Sequence, residues 1–469
     1  MRRRRERVIP SRSDRAEETG KVVLMDVHKG RNMAGVERGD IEKLLVVEAL
    51  PKPINFTGGM DPLTYGGSFT LERALGTIPV DEDGSAFAEL PALRSLFFVA
   101  LDKNDMAVKR MQSFLTVQPG EVAGCVGCHE RRTESLLPEV HALATGREAS
   151  KIEPIADNPG VFDFPRDIQP ILDNLCVDCH GYKETQRGGP YAGKVILTGD
   201  HGPMFSHAYF TMTVEQLFSD GRNLPVSNYA PREIGSSASR ILDMIDGSHH
   251  GVTATDLQKR MLRLWIETGA PYPGTYAALG CGSIGGYQQN ELVNTDFEWP
   301  TTRSGAAVME RRCAACHTGN KVLPAALSDE RGVSFWRFDV EDPRLRFARH
   351  IVFNLSRPEK SLLLLAPLAK SAGGFGLCRN QKEETVEVFQ NVEDPDYQTL
   401  LEMIKAGKQN LRTIKRFDMA GFQPRPEYLR EMRHYGILPN DFPDDRSVDP
   451  YELDQRYWES LWHRPATGE

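Results

Sequence analysis

The stretch LDNLCVDCHGY, residues 172–182, sets Cys176 and Cys179 three apart and puts His180 directly after them. The same arrangement recurs as GCVGCHE at 124–130 and RRCAACHTG at 311–319, so six of the chain's 8 cysteines belong to one pattern used three times. Two cysteines at i and i+3 share one face of a helical turn, and the adjacent histidine follows on the same side. Their sulfurs match the two vinyl groups of a single haem, with the histidine as the proximal iron ligand; this is the c-type attachment signature. The expected cofactor is therefore three covalently attached haem c groups. The thioethers would form at Cys125, Cys128, Cys176, Cys179, Cys313 and Cys316, and the iron ligands would be His129, His180 and His317.

Two other chemistries use paired cysteines. Structural zinc knuckles usually lie within roughly 12–20 residues of one another. Here Cys128 and Cys176 are 48 apart, Cys179 and Cys313 are 134 apart, and three motifs cannot pair off. A thioredoxin-like thiol pair needs a βαβ context, which the flanking sequence lacks. A zinc-stapled binding module is thus the least favoured class.

Working outward, residues 160–276 and 300–407 read as two copies of one unit. Each has a helix-like segment directly before its motif, FPRDIQPILDNLCVDCH and RSGAAVMERRCAACH. Each then has a long loop, a serine-led helix (GSSASRILDMI at 235–245, RPEKSLLLLAPL at 357–368) and a closing amphipathic helix. The closing helices are LQKRMLRLWIETG at 257–269 and DYQTLLEMIKAG at 396–407, with Gly269 and Gly407 where helix C-caps belong. Cys176 to Ile266 spans 90 residues and Cys313 to Ile404 spans 91, which points to duplication. Residues 1–150 differ. The runs SFTLERALGTIPV, SAFAELPA, SLFFVALD and KRMQSFLTVQPG are strand-like, with DEDG and DKND as turns between them. The tail 408–469 holds two helices, one from Pro426 to Gly436 and one capped by Asp449 with Pro450 at its first position. Its stripe of Trp458, Leu461 and Trp462 reads as packing. The expected fold is α+β and multidomain. A β-rich, antiparallel, sandwich-like domain (1–150) ends in the first haem motif. Two mainly α-helical cytochrome c-like domains follow (160–276 and 300–407), and a helical extension (408–469) packs on the second of them.

The sixth iron ligand decides between electron transfer and small-molecule chemistry. DGSHHGV at 246–252 precedes the closing helix of the 160–276 unit, where small cytochrome domains place a distal ligand, so His249 or His250 is expected to complete a bis-histidine haem. The 300–407 unit has only SAGGFG there. Its candidate is His350, with Met403 weaker because it lies within a packed helix. For the first haem, His141, His28, His201 and His207 all remain open, as does an iron with no sixth ligand. Cys281 and Cys378 are left over. They could pair in an oxidising compartment, though sequence gives no geometry for it.

Composition limits the partners. The 469 residues carry 57 basic and 65 acidic side chains, a net charge of −8, which argues against a nucleic-acid binder. MRRRRER at the start is short and reads as a solvated end. The most apolar run, SLLLLAPLAK at 361–370, is far below the roughly 20 residues of a membrane span, and no apolar leader follows the arginine run.

Several longer stretches carry a family resemblance. GVERGDIEKLLVVEALPKP, VDEDGSAFAELPA, LDKNDMAVKRMQSFLTVQPGEVAGCVGCHE, NLSRPEKSLLLLAPLAKSAGG and KRFDMAGFQPRPEYLREMRHYGILP resemble the hydrazine synthase alpha-subunit-related multihaem cytochromes of planctomycetes, over roughly residues 7–465. The resemblance implies haem attachment at the three motifs and an exported protein, with a β-propeller ahead of this region. The chain thus looks like the C-terminal part of such a protein, and a propeller domain or partner subunit outside it is expected. Hydrazine synthase itself has a tyrosine close after the motif of its active haem and a nearby zinc. Here ERRTES follows His129, and Tyr182, Tyr272 and Tyr276 are the remaining candidates for an oxygen ligand. The expected function is electron transfer between redox partner proteins outside the cytoplasm, in the periplasm. The alternative is a redox enzyme acting on a small nitrogen compound at one open haem.

Overall fold

The computed structural model describes residues 11–53, 63–66, 68, 70–128, 141–221, 228–279, 284–289, 292–293, 295–333, 339–380, 382 and 384–465. The MRRRRER run, His129 and Cys281 lie outside them. The content is mixed α+β with two principal sheets.

Among the described residues, seven strands build the N-terminal region: β1 (Thr19–Leu24), β2 (Lys43–Ala49), β3 (Glu72–Pro79), β4 (Ala86–Pro91), β5 (Leu96–Leu101), β6 (Ala107–Arg110) and β7 (Val122–Cys125). One sheet has the order β4-β1-β7 and the other β3-β2-β5-β6. The second is antiparallel throughout, as expected, but β1 pairs parallel to β7, so the first sheet is mixed. The two sheets enclose a common core. Val22, Leu24, Ala88 and Leu90 from the first meet Leu44, Val46, Ile78 and Ala100 from the second. DKND turns β5 into β6 because Asp102 Oδ1 accepts from the Asn104 and Met106 amides, both at 2.9 Å.

β2 is the central strand and the one that alternation could not reveal. KLLVVEA is buried along its whole middle, which leaves no period-2 signal. Its second face, with Leu45 and Val47, joins Phe97 and Val99 against Phe162, Phe164, Ile168 and Trp265. The sheet therefore serves two cores at once, and the β-rich region and residues 160–276 share a continuous interior.

Among the described residues, ten α-helices follow: α1 (Gln169–Leu175), α2 (His207–Val214), α3 (Arg240–Asp243), α4 (Asp256–Glu267), α5 (Pro300–Arg312), α6 (Arg349–Val352), α7 (Leu362–Leu365), α8 (Pro395–Ile414), α9 (Pro426–His434) and α10 (Pro450–Ser460). α1 and α5 are the segments ahead of the second and third motifs, and α4 and α8 are the closing helices. A capping box at Thr255 and Gln258 starts α4, and Gly269 (φ +85°) ends it in the left-handed region only glycine enters freely. Gly407 does not cap. α8 runs on through it to Ile414, and a Cβ there would come within 2.5 Å of Leu327. That glycine is selected by close packing, not by backbone conformation.

The tail also departs from expectation. α9 and α10 pack not on 300–407 but on the margin of the β-rich region: Leu429, Met432, Leu453 and Trp458 share a core with Leu50, Leu63, Leu71 and Tyr276. A buried charge on β2 lies beside this contact. Buried Glu48 binds Arg73 and Arg94, and the outer faces of those guanidiniums need cover. Trp462 supplies it, at 5.5 Å from Arg73 and 4.6 Å from Arg94. Trp458 Nε1 donates to Pro51 O at 3.1 Å. Replacing Trp458 by alanine should lower the unfolding free energy by about 3–5 kcal/mol, measured by urea denaturation. Leu461, which is 43% exposed, should tolerate alanine.

Candidate functional site

The second and third motifs are built alike. Cys176 caps α1, its amide bonding Leu172 O at 2.8 Å, and Cys313 caps α5 through Met309 O at 2.8 Å. The chain then tightens into one further turn. Cys179 N donates to Cys176 O at 3.1 Å and His180 N to the same carbonyl at 2.9 Å; Cys316 N and His317 N donate to Cys313 O at 3.0 and 2.9 Å. This turn brings two thiols and an imidazole to one side, as their spacing requires.

Each imidazole is then aimed by a backbone carbonyl. His180 Nδ1 donates to Ala192 O at 3.0 Å, and His317 Nδ1 to Lys321 O at 2.9 Å. With the proton held on Nδ1, Nε2 presents its lone pair, the state a metal needs. Burial, opposed by the Ala192 carbonyl, leaves the His180 pKa below the usual imidazole value, which also favours the neutral ligand.

His249 faces His180 with ring centroids 6.1 Å apart and planes 16° apart. The two rings are close enough for both to serve one cofactor. Its neighbour His250 is exposed at a positive φ of 50° and stands edge-on to His249. Of the pair, the fold brings His249 to the motif.

Beside His317 lies a cavity of about 820 Å³ walled by Cys313, Cys316 and apolar side chains such as Ile351, Leu362, Leu363 and Val388. A cofactor-sized, largely apolar pocket of this kind is what a porphyrin requires, and the donor set suits it. His350 is absent from that wall. It is fully buried among Tyr65, Phe205 and Phe210, 3.7 Å from Glu330, and burial presses its pKa down to about 4. Met403 turns to Gly305 inside the α5–α8 contact. Neither expected ligand is brought to His317. Cys378 does line the cavity; its once-considered partner Cys281 is among the undescribed residues.

At the first motif the helical turn is not seen. Cys125 ends β7, paired with Leu24, and Cys128 N bonds Lys29 O at 2.7 Å, so the thiols sit at a sheet edge. The three tyrosines weighed as oxygen ligands are occupied elsewhere. Tyr182 OH accepts from Asn354 at 3.1 Å, Tyr272 OH donates to Asp418 at 2.6 Å, and Tyr276 OH donates to Leu50 O at 2.6 Å. Among the described residues, no group of three or more His, Cys, Asp or Glu is arranged to hold a metal ion, and no helix is long and apolar enough to cross a membrane.

Residues 4–130, ending just past the first motif, match the family model of the hydrazine synthase alpha subunit middle domain. Through these residues the chain is related to the hydrazine synthase alpha subunit. A solved structure, that of Kuenenia stuttgartiensis hydrazine synthase, aligns at 17% identity and a TM-score of 0.40 over 55% of this chain and 44% of its own. That likeness is too loose to carry an argument. None of the curated proteins compared with the chain matches it.

Sequence reasoning missed one shared feature. Tyr191 and Lys194 line the His317 cavity, while Ala192 between them holds His180. One loop thus serves two motifs. A carbonyl partner leaves no residue-type signal, so nothing in the sequence marks it.

A buried ionic group locks residues 160–276 to the segment after α8. Arg416 Nη2 is 2.7 Å from Asp418 Oδ2, and His201 Nε2 lies 3.4 Å from the same oxygen. Burial would raise the Asp418 carboxyl, but the Arg416 guanidinium and His201 overrule it and hold it at about 2. A depressed carboxylate stabilises the fold above its unfolded value, near pH 4, and that contribution fades as pH falls towards 2. D418N, which strands buried Arg416, should cost about 3–5 kcal/mol at pH 7 and less below pH 3, by denaturant titration at the two pH values.

Proposed function

We propose that the chain is a three-haem c-type cytochrome that passes electrons between redox partners outside the cytoplasm. Residues 160–276 and 300–407 would act as cytochrome c-like units, and the β-rich region would carry the first haem. When bound, haem supplies the one-electron chemistry. The chain tethers it through Cys125, Cys128, Cys176, Cys179, Cys313 and Cys316, presents imidazole nitrogens, and excludes water with apolar walls. The observation that carries this reading is the pair of imidazoles, His180 and His249, at 6.1 Å beside Cys176 and Cys179. Were both imidazoles to hold one iron, no position would be left for substrate, and the group would supply electron exchange. The net charge of −8 suits a basic partner and makes association salt-sensitive. Periplasmic residence belongs to the same proposal, since bacteria attach haem of this type outside the cytoplasm.

A second reading has one observation in its favour. The match at residues 4–130 takes in the first motif, so that haem could act on a small nitrogen compound if its iron were open. The two readings differ in spin state. Expressed with a c-type maturation system, the chain should yield three haems by pyridine haemochrome assay, one per motif, with the irons at the first and second motifs low-spin. A high-spin iron at the first motif that shifts with nitric oxide or hydroxylamine would favour the enzyme. Colourless protein with free thiols would end both.

The paired histidines are separable by mutation. H249A should turn one of the three irons high-spin in electron paramagnetic resonance, whereas H250A should leave all of them unchanged.

A further inference from the structure

His28 lies alongside the first motif, and nothing above uses it. β1 and β7 run parallel with Leu24 opposite Cys125, and the pairing continues past the strands. Asp26 N donates to Val126 O at 3.2 Å, and Cys128 N donates to Lys29 O at 2.7 Å. His28 therefore sits between two rungs that bind residues 25–29 to the Cys125–Cys128 segment. Its side chain is only 10% exposed.

The ring is set as a ligand's would be. Nδ1 is 3.1 Å from Asp26 Oδ1, and Asp26 Oδ2 accepts from Arg38 at 2.8 Å. A carboxylate paired to a guanidinium only accepts, so Nδ1 carries the proton and Nε2 is left with a bare lone pair. Nε2 is buried and meets no hydrogen-bond donor among the described residues. Leaving such an atom unsatisfied is costly. A carboxylate on one ring nitrogen and a metal on the other is the usual second-sphere arrangement of metal-bound histidine. Of the other histidines open for this role, two are engaged elsewhere and one is exposed. His141 is exposed, His201 is paired with Asp418, and His207 Nε2 donates to Phe353 O at 3.1 Å.

We infer that His28 Nε2 is an axial ligand to the iron of the haem tethered at Cys125 and Cys128, with Asp26 as its positioning residue. The inference rests on the haem reading of that motif, and it closes the one iron that the enzyme reading needs open.

The test uses the full chain, matured with haem. Mass spectrometry of the proteolytic peptide containing Cys125 and Cys128 comes first. A peptide without haem overturns the reading of this motif, and the inference with it. With haem present, H28A should convert about one third of the iron, one site of three, from low to high spin, and added imidazole should restore it. H28M should keep six-coordination and raise one midpoint potential, because thioether ligation raises it. A first haem already high-spin in the unaltered protein overturns the inference alone, as does H28A with three haems and no new high-spin iron. If H28A does not fold, H28M decides: spectra and potentials identical to the parent overturn the inference.

Discussion

Everything at the second and third motifs depends on a backbone carbonyl that takes the proton of an imidazole. Without Ala192 O or Lys321 O, His180 and His317 could rotate or protonate on either nitrogen. With them, one tautomer is fixed and Nε2 is aimed away from the chain. The helix before each motif supplies the other half of the constraint. Its last turn tightens at Cys176 or Cys313, so thiols and imidazole emerge on one side. The helix in turn needs a rigid backing. α5 obtains it from α8, against which Val308 and Met309 pack, and α1 from the core that holds Trp265 of α4.

The central sheet extends this rigidity to the first motif. Because β2 is buried on both faces, the strands of the β-rich region cannot shift without disturbing the core under α1. Glu48 is a charged exception inside it, and Trp462, just after α10, lies over its two arginines. A buried carboxylate demands partners, and partners with flat faces attract aromatic cover.

What was legible in the sequence was what residue type and spacing encode locally. The three Cys-x-x-Cys-His motifs, the Asp449 cap with Pro450 behind it, and the glycine at 269 needed only neighbours along the chain. The histidine pair was legible as a pair, but which ring turns inward depends on the φ of one loop residue. Gly407 was misread because a glycine at a helix's apparent end and a glycine at a helix crossing look alike in one dimension. His350 was placed wrongly because its surroundings, Tyr65, Phe205 and Phe210, come from distant segments. The partners of His28 were invisible for the same reason, since a parallel pairing joins the first strand to the last of the β-rich region.

The loop at 191–194 bears on how the sites would cooperate. Ala192 grips His180 while Tyr191 and Lys194 form part of the wall around His317, and Tyr191 stacks on Phe375 at 5.6 Å from the far side. A second tie runs in parallel. Arg357 and Asn354 both bond Asp200, at 2.6 and 2.7 Å, and Asn354 also reaches Tyr182, two residues after His180. The two sites are thus fixed against each other by covalently short, hydrogen-bonded segments instead of a flexible linker. For the electron-transfer reading proposed above, such ties would hold the spacing of the second and third motifs constant. The coupling lies in the loop common to two motifs, and not in any single motif.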